Sequence, residues 1–258
     1  MKERGIIFNS EMVRAIIDGR KTQTRCIAKF KPIDKALNLN YSGLRAGNYH
    51  AGVKDGRCVL RSTDGATWND RTYPLTCPYG NVGDRLWVRE TWQGPLVDSE
   101  KAYDLFKDPT PYQKVENCVY KADGGYAPEY IDCDDNFRQG WRPSSNMPRW
   151  ASRIILEITN IRVERLQAAS DDNFKAEGYP LERELTGGST DAFCWFRHLW
   201  DSVSKPDYSF ESNPWVWVIE FKRVWLWIIN LQRKLKSFSV MLELNSSYLG
   251  IFTAGVWF

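Results

Sequence analysis

The segment SRIILEITNIRVERL, from Ser152 to Leu166, constrains the fold more than any other part of the sequence. Leu156 and Ile158 alternate with polar neighbours, which is the two-residue period of a strand that buries one face. The apolar positions shift by one residue at Asn160, and such a shift is typical of a β-bulge. We therefore expect a sheet built around one long, bulged strand.

Two other segments have the pattern of strands. In GDRLWVRETW, from Gly83 to Trp92, a turn leads into a run of alternating apolar and polar residues. NPWVWVIEFKRV, from Asn213 to Val224, predicts a buried strand with Glu220 and Lys222 as its outward residues. These strands are the expected neighbours of the bulged one.

The first helix is predicted directly before the most polar motif of the chain. Asn9 or Ser10 can cap it, and Gly19 suits the position just past its end. Its apolar face consists of Met12, Val13, Ile16 and Ile17.

Two more helices are predicted in the second half of the chain. Ser170 caps a short one that Gly178 ends, with Glu177 in its last turn. Thr190 caps the other, whose apolar face consists of Phe193, Phe196, Trp200 and Val203. Together with the strands, these helices indicate an α+β chain.

Two stretches, 31–82 and 94–148, have little periodicity and many Gly, Asn, Asp and Pro residues. We interpret both as insertions, the first as a long loop or an irregular segment. Within the second, NCVYKA predicts a short strand and Asp132 to Asn136 an acidic, solvated loop.

The counts of cysteine and histidine argue against a metal site or a disulfide framework. The chain has six Cys, none of them in a C-x-x-C pair, and two His. We therefore expect no metal, no cofactor and no disulfides. The net charge of +3 permits a nucleic-acid partner without requiring one.

The sequence favours a cytoplasmic protein without a membrane partner. Its first residues, MKERGIIFNSEM, lack the apolar region of a signal peptide, and no run approaches the ~20 apolar residues that span a bilayer. The apolar tail 225–258 departs in composition from everything before it. We interpret this tail as an altered reading frame or a fused remnant.

The segment IIDGRKTQTRC, from Ile16 to Cys26, presents cations and hydroxyls in alternation directly after a helix. This arrangement suits an anion or a nucleotide. The residues that we expect to line the cleft are Arg20, Lys21, Thr22, Thr24 and Arg25. Trp87 is the candidate for stacking on a base, with Trp92 as a second choice.

The order of these pieces resembles the ASCH domain, a small β-barrel related to the PUA RNA-binding fold. The matching segments are Ser10 to Cys26, Gly83 to Trp92, Ser152 to Gly178 and Asn213 to Val224. The resemblance implies an α+β, PUA-like (ASCH) small β-barrel over residues 1–224, with flanking helices and long loop insertions. With its two long insertions, the chain resembles the ASCH proteins that are encoded by phages and prophages of enteric bacteria.

ASCH proteins are generally regarded as RNA- or nucleotide-binding modules, and the resemblance implies that role here. One small bacterial branch hydrolyses N4-acetylcytidine with a Lys, a Thr and a Glu, and Lys21, Thr24 and Glu177 stand at the matching positions. The family pattern G-x-K-x-x-x-x-R places an Arg at position 26, where this chain has Cys26.

Three functions stay open at this point. The first is a module that binds RNA or a modified nucleoside, and the second is an amidohydrolase that acts on N4-acetylcytidine-type nucleosides. The third is a phage accessory or assembly protein whose partners are phage proteins. Hydrolysis would need the pKa of Lys21 to fall from ~10.4 towards neutrality, and Glu177 opposes that fall. In a regular strand Lys21 and Thr24 would face opposite sides, so a turn after Gly19 has to bring them together.

Overall fold

The structure, a computed structural model, describes residues 1–49, 56–132 and 136–224. The chain divides into a compact unit, Met1–Arg223, and a second unit, Val224–Phe258. The apolar tail 225–258 and part of the predicted acidic loop, 133–135, lie outside the described residues.

The described residues form a mixed α+β structure, as the sequence predicts. The strands are β1 (Glu3–Ile7), β2 (Gln23–Ile27), β3 (Arg45–Asn48), β4 (Arg57–Asp64), β5 (Thr67–Asp70), β6 (Leu75–Thr76), β7 (Arg85–Arg89), β8 (Trp92–Gln93), β9 (Val119–Tyr120), β10 (Glu129–Ile131), β11 (Phe137–Gln139), β12 (Ile155–Arg165) and β13 (Trp215–Val224). The helices are α1 (Ser10–Ile17), α2 (Ala102–Lys107), α3 (Asp171–Ala176), α4 (Leu181–Thr186) and α5 (Asp191–Val203).

The central sheet has five strands in the order β1-β7-β12-β13-β2. β1 runs parallel to β7, whereas β7 pairs antiparallel with β12 and β13 pairs antiparallel with β2. Among the described residues, these pairings do not close the sheet into a barrel. The three strands predicted from the sequence, β7, β12 and β13, are therefore adjacent at its centre.

The predicted shift in β12 is confirmed by the residues that face the main core. Leu156 and Ile158 pack in this core, and Ile161 and Val163 pack against it as well. The core-facing positions thus change from even to odd within one strand, and Asn160 at the change is exposed. β12 therefore contributes apolar side chains to the main core along most of its length.

Within 31–82, the described residues contain a sheet, where the composition predicts a long loop or an irregular segment. Its strands pair in the order β3-β4-β5, with β6 on β4. Leu60 of β4, and Leu44 directly before β3, are buried in the same core as Leu86 of β7. A tight turn that begins at Gly65, with φ of +66°, joins β4 to β5. The two loop residues are Gly65 and Ala66, and a glycine at the first position of a two-residue loop is a hairpin signal that composition alone hides.

The second insertion contains several short elements. The strand predicted at NCVYKA is confirmed as β9, which pairs with β8. Around this pair Trp92, Tyr120, Met147 and Ala151 form a small core of their own. A separate hairpin joins β10 to β11.

The ends of α1 are confirmed, and its apolar face is partly wrong. The Asn9 side chain caps the first turn, and Gly19 has a left-handed φ of +80°. Val13 and Ile16 are buried, but Ile17 is exposed because it lies at the end of the helix.

Thr190 is the N-cap residue of α5, as predicted, but its side chain makes no capping hydrogen bond. Phe196 and Trp200 are buried as predicted, whereas Phe193 is partly exposed and Val203, the last residue of the helix, is exposed.

Candidate functional site

A backbone turn positions the segment that follows α1. The left-handed Gly19 reverses the chain, and the N–H of Lys21 then donates to the carbonyl of Ala15 over 2.9 Å. The next residue, Thr22, donates its N–H to the carbonyl of Ala176, also over 2.9 Å. The start of β2 is thus bonded to the ends of both α1 and α3.

At this junction Lys21 meets Glu177, the residue that ends α3. The Lys21 Nζ lies 2.7 Å from Oε2 of Glu177 and 2.9 Å from its carbonyl oxygen. The lysine side chain has 0% of its surface exposed and the glutamate side chain 4%. The structure therefore brings together two of the three residues that the resemblance implies as catalytic.

Arg25 contacts the same carboxylate from β2. Its Nη1 donates to Oε1 of Glu177 over 2.7 Å, and its Nη2 donates to Oε1 of Glu164 over 2.9 Å. The Arg25 side chain is fully buried. Each oxygen of Glu177 thus bonds one cation, and Arg25, predicted as a ligand-binding residue, is enclosed by protein.

The ion pairs continue along the outward face of β12 and β13. The Nε of Arg162 donates to Oε2 of Glu164 over 2.9 Å, and its Nη1 bonds Glu220. Asn173 of α3 accepts from Nη2 of Arg162 over 2.9 Å. We call the alternating series Lys21, Glu177, Arg25, Glu164, Arg162 and Glu220 the ion-pair chain. Its charges balance, and its members become more exposed towards Glu220.

The net effect on Lys21 is a lowered pKa. Burial disfavours the charged ammonium, and this is the largest cause. The charge and the hydrogen bond of Glu177 raise the pKa, while the charge of Arg25 lowers it further. Desolvation therefore outweighs the opposing carboxylate, and this is the balance that the sequence leaves open.

Thr24 lies on the other face of β2 from Arg25. Thr24 pairs with Ile219 of the main core, whereas Arg25 pairs with Val218, which packs under α3 and α5. Residues opposite each other in an antiparallel pair share a face. The Lys21 Nζ lies at the border of the two faces, since the ring of Phe8, a main-core residue, is 5.6 Å away. Among the described residues, no hydrogen bond joins Thr24 to Lys21 or Glu177.

Arg20 and Thr22 occupy the surface of this junction. Arg20 donates to the carbonyls of Gly178 and Tyr179 over 3.1 and 3.0 Å, and it pairs with Asp18 over 2.8 Å. Arg20 therefore connects the loop after α1 with the loop after α3 through its hydrogen bonds. Thr22 is exposed to solvent.

The structure does not bring Trp87 to this junction. Trp87 is on β7, and two strands, β12 and β13, separate β7 from β2 in the sheet. Its indole packs against Gly5 and lies 5.5 Å below the Arg89 guanidinium. Trp92 is 1% exposed and contacts Trp150 edge-on, so its faces are covered.

Cys26 packs partly buried against the main core. Burial is the main reason why the pKa of its thiol rises to about 12. Arg25 lies on the opposite face of β2 from position 26, where the resemblance implies an arginine.

The sequence analysis missed Arg162, Glu164 and Asn173. The available signal was the alternation in IRVERL, where Arg162 and Glu164 occupy successive outward positions of a strand. Opposite charges two residues apart on one strand face are neighbours that can share a partner. Which partner they share depends on strand order, and local sequence does not define that.

Within 1–49, 56–132 and 136–224, no group of three or more His, Cys, Asp or Glu residues is arranged to hold a metal ion. In the same part of the chain, no helix has both the length and the apolar composition needed to cross a bilayer. Comparisons of the chain with protein-family models, with curated proteins and with solved structures gave no match.

Proposed function

We propose that the chain is a PUA-like, ASCH-type module that binds a modified pyrimidine nucleoside, or RNA that contains it, beside Lys21 and Glu177. One observation supports this most: the buried ion pair of Lys21 and Glu177, two residues that the family resemblance selects together. A buried ion pair is weak evidence for stability alone, since desolvation offsets its attraction. Perturbed, buried charges occur preferentially at functional sites.

The geometry favours a neutral ligand at this junction over a phosphate. Arg25 is enclosed and bonded to two carboxylates, and Arg20 is paired with Asp18. Their charges are therefore largely balanced. The edge of a base offers hydrogen-bonding groups without net charge, so it suits such a site better than a phosphate does.

A second candidate function, hydrolysis of an N4-acylated cytidine, is favoured by the lowered pKa of Lys21. A neutral amine can accept the proton of the Thr24 hydroxyl while its oxygen attacks the amide carbon. Return of that proton to N4 would release cytidine and leave an acyl-threonine. Water would then hydrolyse this ester to acetate and free Thr24. Glu177 would hold the amine in place.

The test is incubation of the purified full chain with N4-acetylcytidine, followed by chromatography for cytidine and calorimetry for binding. Thr24→Ala removes the proposed nucleophile, and Thr67→Ala, at an exposed position of β5 outside the site, is the matched control. Conversion by the parent and by Thr67→Ala, with none by Thr24→Ala, would support hydrolysis. Binding without conversion would support recognition alone. Neither binding nor conversion would overturn both proposals and favour the accessory or assembly role.

A further inference from the structure

Two adjoining cavities lie where the inserted sheet meets the central sheet. One has a volume of about 440 Å³ and lies among β3, β4, the turn at Asn81 and β12. The other, of about 730 Å³, lies among β3, the end of β12 and the start of β13. Ala46 and Val163 line both cavities, so the two are neighbours that share a wall. We call the two cavities together the inter-sheet groove.

Two arginines give the larger cavity an unbalanced positive charge. Arg165 donates to the carbonyls of Leu39 and Asn213 over 2.7 and 3.0 Å. Arg45 is exposed and donates to the carbonyl of Ser42 over 3.1 Å. All these partners are neutral, and no ion pair among the described residues involves either arginine. Carbonyl bonds hold a guanidinium in place without cancelling its field.

Arg165 is also held in position before any ligand arrives. Its guanidinium lies 4.4 Å from the centre of the Trp215 ring, and Trp215 donates from Nε1 to the carbonyl of Leu39 over 3.1 Å. Asn213 has a left-handed φ of +44°, and its side chain accepts from the N–H of Gln167 over 2.9 Å. A side chain fixed in this way loses little entropy on binding.

The negative charge in the groove is small. Among the described residues that line either cavity, Glu211 is the single acidic one, and it pairs with Arg197 over 2.5 Å. The net charge of the groove is therefore positive, which favours an anionic partner.

The smaller cavity has the character of a site for a base. Trp217 and Ile161 provide apolar surface, and Asn81 and Asn160 are exposed amides that can donate and accept. Volumes of 300–1,000 Å³ are typical for single small ligands, so ~440 Å³ suits one nucleoside and no duplex. Arg162, a member of the ion-pair chain, also lines this cavity.

We propose that the inter-sheet groove binds single-stranded RNA, with backbone phosphates at Arg45 and Arg165 and one base in the smaller cavity. The proposal rests on the proposed recognition of RNA or its nucleosides and adds a second surface to it. One wall belongs to the insertion 31–82, so the surface depends on residues outside the segments that resemble the ASCH domain. Phosphate contacts supply affinity, and an unstacked base with amide partners supplies selectivity.

The test is fluorescence anisotropy of the full chain with a fluorescein-labelled single-stranded oligouridine at several salt concentrations. Arg45→Gln is the principal variant because Arg45 is exposed and bonds only nearby carbonyls. Arg138→Gln, an exposed arginine on β11, is the matched control. We expect Arg45→Gln to raise the Kd about fivefold or more and to lower the salt slope by roughly one, with Arg138→Gln unchanged.

Asn160→Ala tests the base cavity separately, since it leaves the charge of the groove unaltered. It should weaken binding without changing the salt slope. Equal Kd values for Arg45→Gln and Arg138→Gln, or equally tight binding of a duplex of the same length, would overturn the groove proposal.

N4-acetylcytidine binding, measured on the same Arg45→Gln sample, separates this proposal from the proposed function. Loss of oligouridine affinity with unchanged nucleoside binding supports the groove as a separate surface. Nucleoside binding by a parent that binds no oligouridine overturns the groove alone. Oligouridine binding that Arg45→Gln weakens, in a parent that binds no nucleoside, overturns the Lys21 site alone.

Discussion

Glu177 is the residue on which the buried charges of the candidate site depend. It accepts hydrogen bonds from both Lys21 and Arg25, and neither of these cations has exposed side-chain surface. Without the carboxylate, two positive charges would remain in a site from which water is excluded. A buried cation without a partner costs far more than an exposed ion pair contributes.

We therefore expect Glu177→Gln to lower the free energy of unfolding by about 3–5 kcal/mol. Urea denaturation at neutral pH measures this change. The control is Glu184→Gln, whose side chain is half exposed and pairs with Lys175 over 3.9 Å, and it should change stability by less than about 1 kcal/mol. Equal effects of the two variants would contradict the dependence of the buried cations Lys21 and Arg25 on Glu177.

The lowered pKa of Lys21 also predicts how stability depends on pH. Between this lowered value and the ordinary 10.5, the unfolded chain binds more protons at this residue than the folded chain. The contribution of Lys21 to the free energy of unfolding therefore rises with pH across that window. We expect the difference in the free energy of unfolding between the parent and Lys21→Met to increase from about pH 7 to about pH 10. A decrease over this range would mean that Glu177 raises the pKa more than burial lowers it.

At the scale of elements, the site depends on how closely the ends of α1 and α3 approach. Gly178, directly after Glu177, has a φ of +106°. A Cβ atom at this position would lie 2.9 Å from the Cβ of Ala15 and 3.2 Å from the Cβ of Lys21. Both the backbone conformation and the space therefore require glycine here.

Gly178→Ala should accordingly destabilise the protein by about 1–3 kcal/mol and displace Glu177 from Lys21. Gly124→Ala is the matched control, because Gly124 has a φ of +86° but nothing near the position of the new Cβ. Thermal denaturation of the parent and of both variants measures these losses of stability. Both substitutions strain the backbone, but only Gly178→Ala also crowds Ala15 and Lys21. The difference between their losses of stability therefore measures the cost of that crowding. If both lose the same stability, packing against α1 is not what selects glycine at position 178.

Elements with a strong local pattern are the ones that the sequence predicts. β12 has clear alternation and β13 a nearly continuous apolar run. α1 and α3 have capping residues and terminal glycines, so both their type and their ends are recognisable. β3 and β6 are too short to show a period, and they are stabilised by pairing with β4. The Lys21–Glu177 contact follows from the family resemblance. The bonds of Arg25 to Glu164, and of Glu164 to Arg162, depend on strand order and on which faces meet, so local sequence does not predict them.

At the scale of the whole molecule, the inserted sheet and the central sheet share one apolar core. Leu60 of β4 is fully buried in the cluster that contains Leu86 and Ile219. A buried leucine replaced by alanine leaves a cavity that its surroundings fill only in part.

Leu60→Ala should therefore lower the free energy of unfolding by about 2–5 kcal/mol, as a central core position would. The comparison is Leu185→Ala, at an exposed position of α4, which should have a small effect. In chemical denaturation the parent should lose tryptophan fluorescence and β-sheet signal in one transition. Separate transitions, with Leu60→Ala shifting only the first, would show that the two sheets unfold independently.

The shared core also limits how this protein can change over evolutionary time. A surface loop can be exchanged or deleted by recombination at its two ends, because little of the remaining molecule depends on it. Removal of 31–82 would instead expose Leu86 and its neighbours to water, so any viable shorter descendant would need compensating substitutions on β7 and β12. We therefore expect the inserted sheet and the central sheet to be inherited as one unit, with sequence changes in either constrained by the other.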